Sequence, residues 1–230
     1  MKNIILLHGA IGAADQLANL ENELINFDFK VFKFSFSGHG KTPFENHFGI
    51  TQFAKELELF ITKNNLIKPI VFGYSMGGYV ALYLASQQPL LMGNIITLGT
   101  KFNWTKDIVT KEIQLLNPQS ILNKVPKYAN TLQQRHGTNW IKLLEKTSLL
   151  MIELSELNLL NENNLSQINN FVALGLADND SMVTIEETNT VFNNLKNAKQ
   201  FNLINTKHPI ESVNVLELCT IILALTQNLQ

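Results

Sequence analysis

The chain has 230 residues, 45% of them hydrophobic and 16% charged, which suits one globular α/β domain able to bury a core without staples. Its formal net charge is −1, so no electrostatic excess points to nucleic acid or to an anionic membrane surface. The one cysteine, Cys219, rules out an internal disulfide; it sits in an apolar helical pattern as buried filler, which fits a reducing, cytoplasmic location.

The first element is the apolar run Ile4–Leu7, stopped by His8-Gly9. Continuous apolarity without alternation suits a strand buried on both faces of a parallel sheet. The run is too short for the roughly 7–15 apolar residues of a signal peptide. No other run approaches the ~20 of a membrane span, so a soluble protein without stable membrane anchoring is expected. An amphipathic stretch over about Asp15–Phe27 follows, with Leu17, Leu20, Leu24 and Phe27 at helical spacing. Next come a strand at Val31–Phe36, a glycine-containing loop at Ser37–Pro43 and a helix from about Thr51 to Lys63. Ile70–Tyr74 is another buried strand, followed at once by the helical segment Met76–Gln88, and Ile95–Leu98 is a strand ending in Gly99. Such alternation is the signature of βα units, a parallel sheet and right-handed crossovers with helices on both faces.

The rhythm breaks after Thr100. From about residue 102 to 165 the pattern is helical, carried by Leu115-Leu116, Ile121-Leu122, Trp140-Ile141 and Leu143-Leu144 and interrupted by Pro118, Pro126 and Gly137. The rhythm then resumes with a strand at Phe171–Leu176, a helix at Glu186–Leu195, a strand at Gln200–Leu203 and a last helix from about Ile210 to Leu225. A helical block between two strands of one sheet reads as a lid inserted in a single domain spanning 1–230.

Gly73-Tyr74-Ser75-Met76-Gly77-Gly78 lies between a strand and a helix, the strand–turn–helix context that a G-x-S-x-G nucleophile requires. The glycines flank a crowded turn, and the helix behind Ser75 aims free N–H groups and partial positive charge at the reaction centre. A serine hydroxyl needs a base oriented by a third group, and on such a turn the partners follow as serine, acid, histidine. His208 is the only histidine beyond the late strands. Asp178 and Asp180 both leave the Phe171–Leu176 strand; Asp180, three residues before Val183, is the favoured acid, and Asp178 is read as a brace of the turn. His8-Gly9-Ala10-Ile11-Gly12 follows the first strand, where glycine lets the loop approach the nucleophile. The backbone N–H groups of Ala10 and Met76 are then the candidate oxyanion donors, with His8 bracing the loop. The five histidines are dispersed, and no His/Cys spacing resembles a metal site.

His8-Gly9-Ala10, Gly38-His39-Gly40, Gly73–Gly78, Asp180-Ser181-Met182-Val183 and His208 fall in an order that resembles the α/β-hydrolase superfamily over nearly the whole chain, and within it small lidded esterases. The resemblance implies acyl transfer through a covalent acyl-enzyme with a Ser75–Asp180–His208 triad and no cofactor. It also implies about six parallel strands, because the chain begins at what is usually the family's third strand. Ala177 stands where a glycine often precedes the acid, and Phe36-Ser37 where an acid and an arginine are often found. A small apolar ester is the expected partner, with Trp104, Trp140 and Met182 as candidate substrate contacts beside Phe102, Met76 and Met151. The rivals are a menaquinone-pathway lyase or a carbon–carbon bond hydrolase of the same fold, and a ligand receptor on this scaffold. The lyase handles a polycarboxylate and is expected to use several arginines, whereas Arg135 is the only one here. Dehalogenases and epoxide hydrolases of this fold need aspartate where Ser75 stands.

Overall fold

The structure, a computed structural model, describes residues 1–227. Six strands form one sheet: β1 (Lys2–Leu7), β2 (Phe29–Lys33), β3 (Ile70–Tyr74), β4 (Ile95–Leu98), β5 (Val172–Ala177) and β6 (Ala198–Leu203). All pairs are parallel, in the order β2-β1-β3-β4-β5-β6. From β1, one strand in from the edge, the chain steps out to β2, crosses back over β1 to β3 and proceeds to the other edge.

The pleat sends successive side chains to opposite faces, and the sequence fills both. Ile4 and Leu6 of β1, with Phe72, Ile96 and Ala173, face one layer. That layer is α1 (Ala18–Asn26) and α10 (Val215–Gln227), contributing Leu20, Leu24, Leu218 and Ile222. Ile5 and Leu7, with Val71, Ile95, Val172 and Leu174, face the other. There lie α2 (Ile50–Lys63), α3 (Met76–Gln87) and α9 (Ile185–Asn194). Helix α3 is buried almost all round, as expected of the helix behind a central strand.

Five helices separate β4 from β5: α4 (Lys106–Leu115), α5 (Pro118–Lys124), α6 (Pro126–His136), α7 (Trp140–Glu156) and α8 (Glu162–Ser166). Thr105, Asn117 and Asn161 cap the first, second and fifth through side-chain oxygens, and Pro118 and Pro126 sit at the first helical position, where their missing N–H is harmless. The insertion has its own core of Val109, Leu116, Ile121, Leu132, Trp140 and Leu144. Helix α7 belongs to both cores: its first half packs there, while Leu150 and Leu154 join the main core with Leu165 of α8.

Four strands differ from the periodicity in their bounds: β1 starts two residues early and β5 is shifted by one, while β2 and β6 depart for visible reasons. Strand β2 was expected at Val31–Phe36 but runs Phe29–Lys33. The Phe36 N–H is taken by His8 Nε2 at 3.1 Å, and Phe34 and Phe36 stack with Phe60 and Phe53 of α2 instead of continuing the ladder. Strand β6 begins at Ala198, ahead of the apolar signal, because it is an exposed edge whose early residues need not be apolar. Among the described residues, no helix is long and apolar enough to cross a membrane.

Candidate active site

The carboxyl ends of β1, β3, β4, β5 and β6 deliver every candidate catalytic group to one edge of the sheet. Ser75, between β3 and α3, has φ +50° and ψ −118°, a conformation that non-glycine residues enter only when the surroundings enforce it. Its amide donates to the Leu98 carbonyl at 2.8 Å, and its carbonyl accepts from Thr100 Oγ1 at 3.0 Å. A Cβ on Gly73 would stand 2.4 Å from the Gly78 nitrogen, and one on Gly77 2.6 Å from the Leu7 carbonyl oxygen. The elbow is thus pressed against its own helix and against β1, and glycine is the only residue that fits either point.

On the loop after β5, Asp180 Oδ2 accepts from His208 Nδ1 at 2.7 Å. Asp180 Oδ1 accepts from the amides of Met182 and Val183 at 2.8 and 3.0 Å. Burial by itself would raise this carboxyl's pKa; the hydrogen bond from His208, its charge and the two amides outweigh that and hold it below the ordinary carboxylate range. With Nδ1–H committed to Asp180, Nε2 is left as the ring nitrogen able to accept a proton. Asp178 points elsewhere: its Oδ1 accepts from the Thr206 amide at 3.0 Å, tying the Asp180 loop to the His208 loop as a brace. Ser75 and His208 line the same two cavities. Among the described residues Ser75 Oγ makes no hydrogen bond, to His208 or otherwise; in unliganded sites such contacts are often long and tighten with substrate.

Facing Ser75 is the loop after β1. His8 Nε2 accepts from Phe36, so Nδ1–H donates to the Gly9 carbonyl at 2.8 Å. The ring braces the loop as a neutral group, its pKa lowered by burial to about 4. Among the described residues the amides of Ala10 and Met76 donate to no protein acceptor, which leaves both available to a developing oxyanion.

Four contributors carry little sequence signal. Gly99, with φ +60°, leaves room for the acid–base pair: a Cβ there would stand 3.3 Å from both Asp180 Oδ2 and His208 Nδ1. The Tyr74 hydroxyl donates to the His208 carbonyl at 3.0 Å, tethering the histidine loop to the elbow. Thr100 fixes the Ser75 carbonyl. His136 comes from the end of α6, where Nδ1 accepts from the Gly40 amide at 2.8 Å and Nε2–H donates to the Ile11 carbonyl at 2.9 Å. A glycine closing a strand and a tyrosine inside the serine motif were visible signals for the first two; nothing local marks His136.

The larger cavity holds about 550 Å³ and the smaller about 60 Å³. Met182 and Met151 line both, and Trp104 lines the smaller. Trp140 does not line either: it opens α7 facing α4–α6, is 6% exposed and fills the insertion's own core, so it is corrected from substrate contact to packing residue. Phe102 likewise packs against the main core near Tyr79. Arg135 lies at the larger cavity with Asp15 Oδ2 at 3.4 Å and Glu211 Oε1 at 3.7 Å, so its charge is already faced by two carboxylates. No cluster of three or more metal-ligating side chains occurs among the described residues.

A doubly wound parallel sheet with a strained serine elbow and an acid–histidine pair on the following loops defines a class, that of the α/β-type hydrolases. The chain belongs to the alpha/beta hydrolase fold family, whose sequence model matches residues 2–217. A candidate lipase (lip1) of Acinetobacter baumannii AYE superposes with a TM-score of 0.79 at 20% identity, covering 99% of this chain and 85% of that one. A structure from the thaumarchaeon Nitrososphaera gargenis, from work on its carboxylesterases, gives 0.77 at 14% identity, covering 99% and 92%. These likenesses are of fold. In sequence the chain is 29% identical over 89 residues to ethanol acetyltransferase 1 of Hanseniaspora uvarum. That match takes in 38% of this chain and only 27% of the yeast protein.

Proposed function

We propose that the protein is a serine hydrolase that cleaves a small carboxylic ester through an acyl-enzyme. The observation that carries this reading is the Asp180–His208 hydrogen bond of 2.7 Å in the cavity that also holds Ser75 on its strained turn. Ser75 Oγ attacks the ester carbonyl carbon while His208 Nε2 takes its proton. Charge develops on the carbonyl oxygen, where the Ala10 and Met76 amides are the candidate donors. The tetrahedral adduct collapses by breaking the bond to the alcohol oxygen, which leaves with the proton from His208. Water then repeats the sequence, giving a proton to His208 and releasing the acid and free Ser75. Asp180 keeps the imidazole in the Nδ1–H tautomer and offsets its positive charge without taking the proton. With the only arginine flanked by two carboxylates, the cavity favours an uncharged ester over a polycarboxylate. Buried, unpaired Cys219 fits action in the cytoplasm.

The likeness to an alcohol acetyltransferase supports a second reading, in which an alcohol takes the place of water and the product is a new ester. The 550 Å³ cavity beside His208 could hold such an acceptor.

The test is fluorophosphonate labelling with peptide mapping, followed by ester hydrolysis by wild type and Ser75→Ala, with and without added ethanol. Label on Ser75 and a loss of about three or more orders of magnitude in the variant are expected. Retention of wild-type rate by purified Ser75→Ala would falsify the assignment. Ethyl ester formed at the expense of free acid would favour the second reading. A folded protein with neither label nor turnover would favour a receptor or a specialised lyase.

A further inference from the structure

Ser75 stands at the junction of two unlike compartments. The small one is walled by Met76 and Tyr79 of α3, Ile50 of α2, Leu150 and Leu154 of α7, Trp104, and Lys101, whose ammonium is taken up by the Met182 carbonyl and Glu112. Apart from the half-buried Trp104 and Lys101 these are core residues, at most 8% exposed and held in place by the main core. The large compartment shares Ser75 and His208 with the small one. Its lining includes Pro209 and Glu211 from the histidine's own loop, and Leu115 and Tyr128 of the insertion, which are 69% and 40% exposed.

The chemistry assigns the two sides. A departing alkoxide must receive its proton from His208, so the alcohol portion lies where the histidine loop forms the wall. The acyl chain extends the other way, past Met76, whose amide is the candidate partner of the carbonyl oxygen. We infer that the small compartment is the acyl site and that this protein acts on acetyl or propionyl esters of alcohols much larger than the acyl group. The inference rests on Ser75 being the nucleophile. The small compartment offers about 60 Å³ against about 550 Å³ in the large one, and the carbonyl carbon itself sits at Ser75. One or two further carbons therefore fit, while a longer chain must displace close-packed core residues.

The experiment uses the full chain and p-nitrophenyl acetate, propionate, butyrate, hexanoate and octanoate, with each kcat/KM normalised to the ester's hydroxide-driven rate. A second series sets ethyl, phenethyl and naphthyl acetates against each other. The expected result is an optimum at acetate or propionate, a fall of about tenfold or more by hexanoate, and tolerance of the bulky acetates. Leu154→Ala and the more exposed Trp104→Ala should each raise the butyrate-to-acetate ratio about tenfold, and the second variant covers misfolding of the first. A Ser75-dependent profile that is flat or rises towards octanoate overturns the acyl assignment and leaves the hydrolase reading standing. Long p-nitrophenyl acyl chains accepted, with activity on the acetates falling as the alcohol grows from ethyl to naphthyl, would show the two compartments to be exchanged. Turnover of none of these esters in a Ser75-dependent way removes both the hydrolase reading and this inference.

Discussion

Left-handed backbone at the site falls on three residues of different chemistry. Ser75 at φ +50° and Gly99 at φ +60° lie at the candidate reaction centre. Ile11, a β-branched residue at φ +50°, follows the candidate oxyanion donor Ala10, and branched side chains are genuine outliers there. Such conformations persist only where neighbours over-determine them, and each has its restraint: Leu98 and Thr100 hold Ser75, and His136 holds the Ile11 carbonyl. Gly99 differs because its constraint is space. Gly99→Ala must place a methyl 3.3 Å from Asp180 Oδ2 and His208 Nδ1 in a left-handed conformation. Unfolding by urea should show a loss of about 1–2 kcal/mol, and displacement of the pair should lower kcat about 100-fold with little change in KM. An unchanged kcat would mean that the acid–base geometry tolerates the methyl.

Elements meet through single side chains. Helix α6 reaches the body through His136, which joins the insertion to the Ile11 loop and the Gly40 loop at once. The ring is buried, and burial lowers its pKa, partly opposed by the hydrogen bond to Ile11. His136→Leu keeps much of the volume but leaves a part-buried amide at Gly40 and a part-buried carbonyl at Ile11 without their partner. The expected loss is about 2–4 kcal/mol in chemical denaturation, with a lower kcat because the candidate oxyanion loop loses its outer restraint. A drop in stability with kcat intact would show that His8 alone positions that loop. Glu187 plays a related part for α9. Its two oxygens accept from the amides of Phe102, Asn103 and Thr184, fixing the start of the insertion against the loop that carries Asp180.

At the scale of the whole molecule, three buried imidazoles make stability depend on acid. His8, His39 and His136 form a chain of rings with centroids 4.9 and 6.4 Å apart. Burial lowers the pKa of each, and proximity to His8 lowers that of His39 further. Below about pH 6.5 the unfolded chain takes up protons that these folded rings refuse, so the unfolded state binds more protons and stability falls as pH falls. From His8 alone, ordinary at 6.5 and folded at about 4, the loss between those two pH values is on the order of 3 kcal/mol. Asp180, held low in the folded state, adds a loss that begins nearer pH 4. Urea midpoints at pH 7.5, 6.0, 5.0 and 4.5 should therefore decline steadily below pH 6.5 and stay level above it. A midpoint unchanged down to pH 5 would contradict neutral burial of the three rings.

What the chain alone determined is what local order encodes. A strand, a tight turn and a helix are consecutive in Ile70–Gln87, so the elbow and Ser75 were legible, and so was the parallel sheet from its repeated βα rhythm. His208 followed from being the only histidine beyond the last strands, and the spacing to Val183 separated Asp180 from Asp178. The tertiary structure alone decided contacts between distant positions. Trp140 and Trp104 belong to the same apolar block, yet one turns into the insertion's core and the other into the small cavity, because helix orientation and not composition selects the face. Ile11 and His136 lie 125 residues apart, and no periodicity links them. The two cavities are spaces left between elements, and their volumes depend on how close-packed layers meet. A sequence specifies that meeting only through the energy of the whole fold.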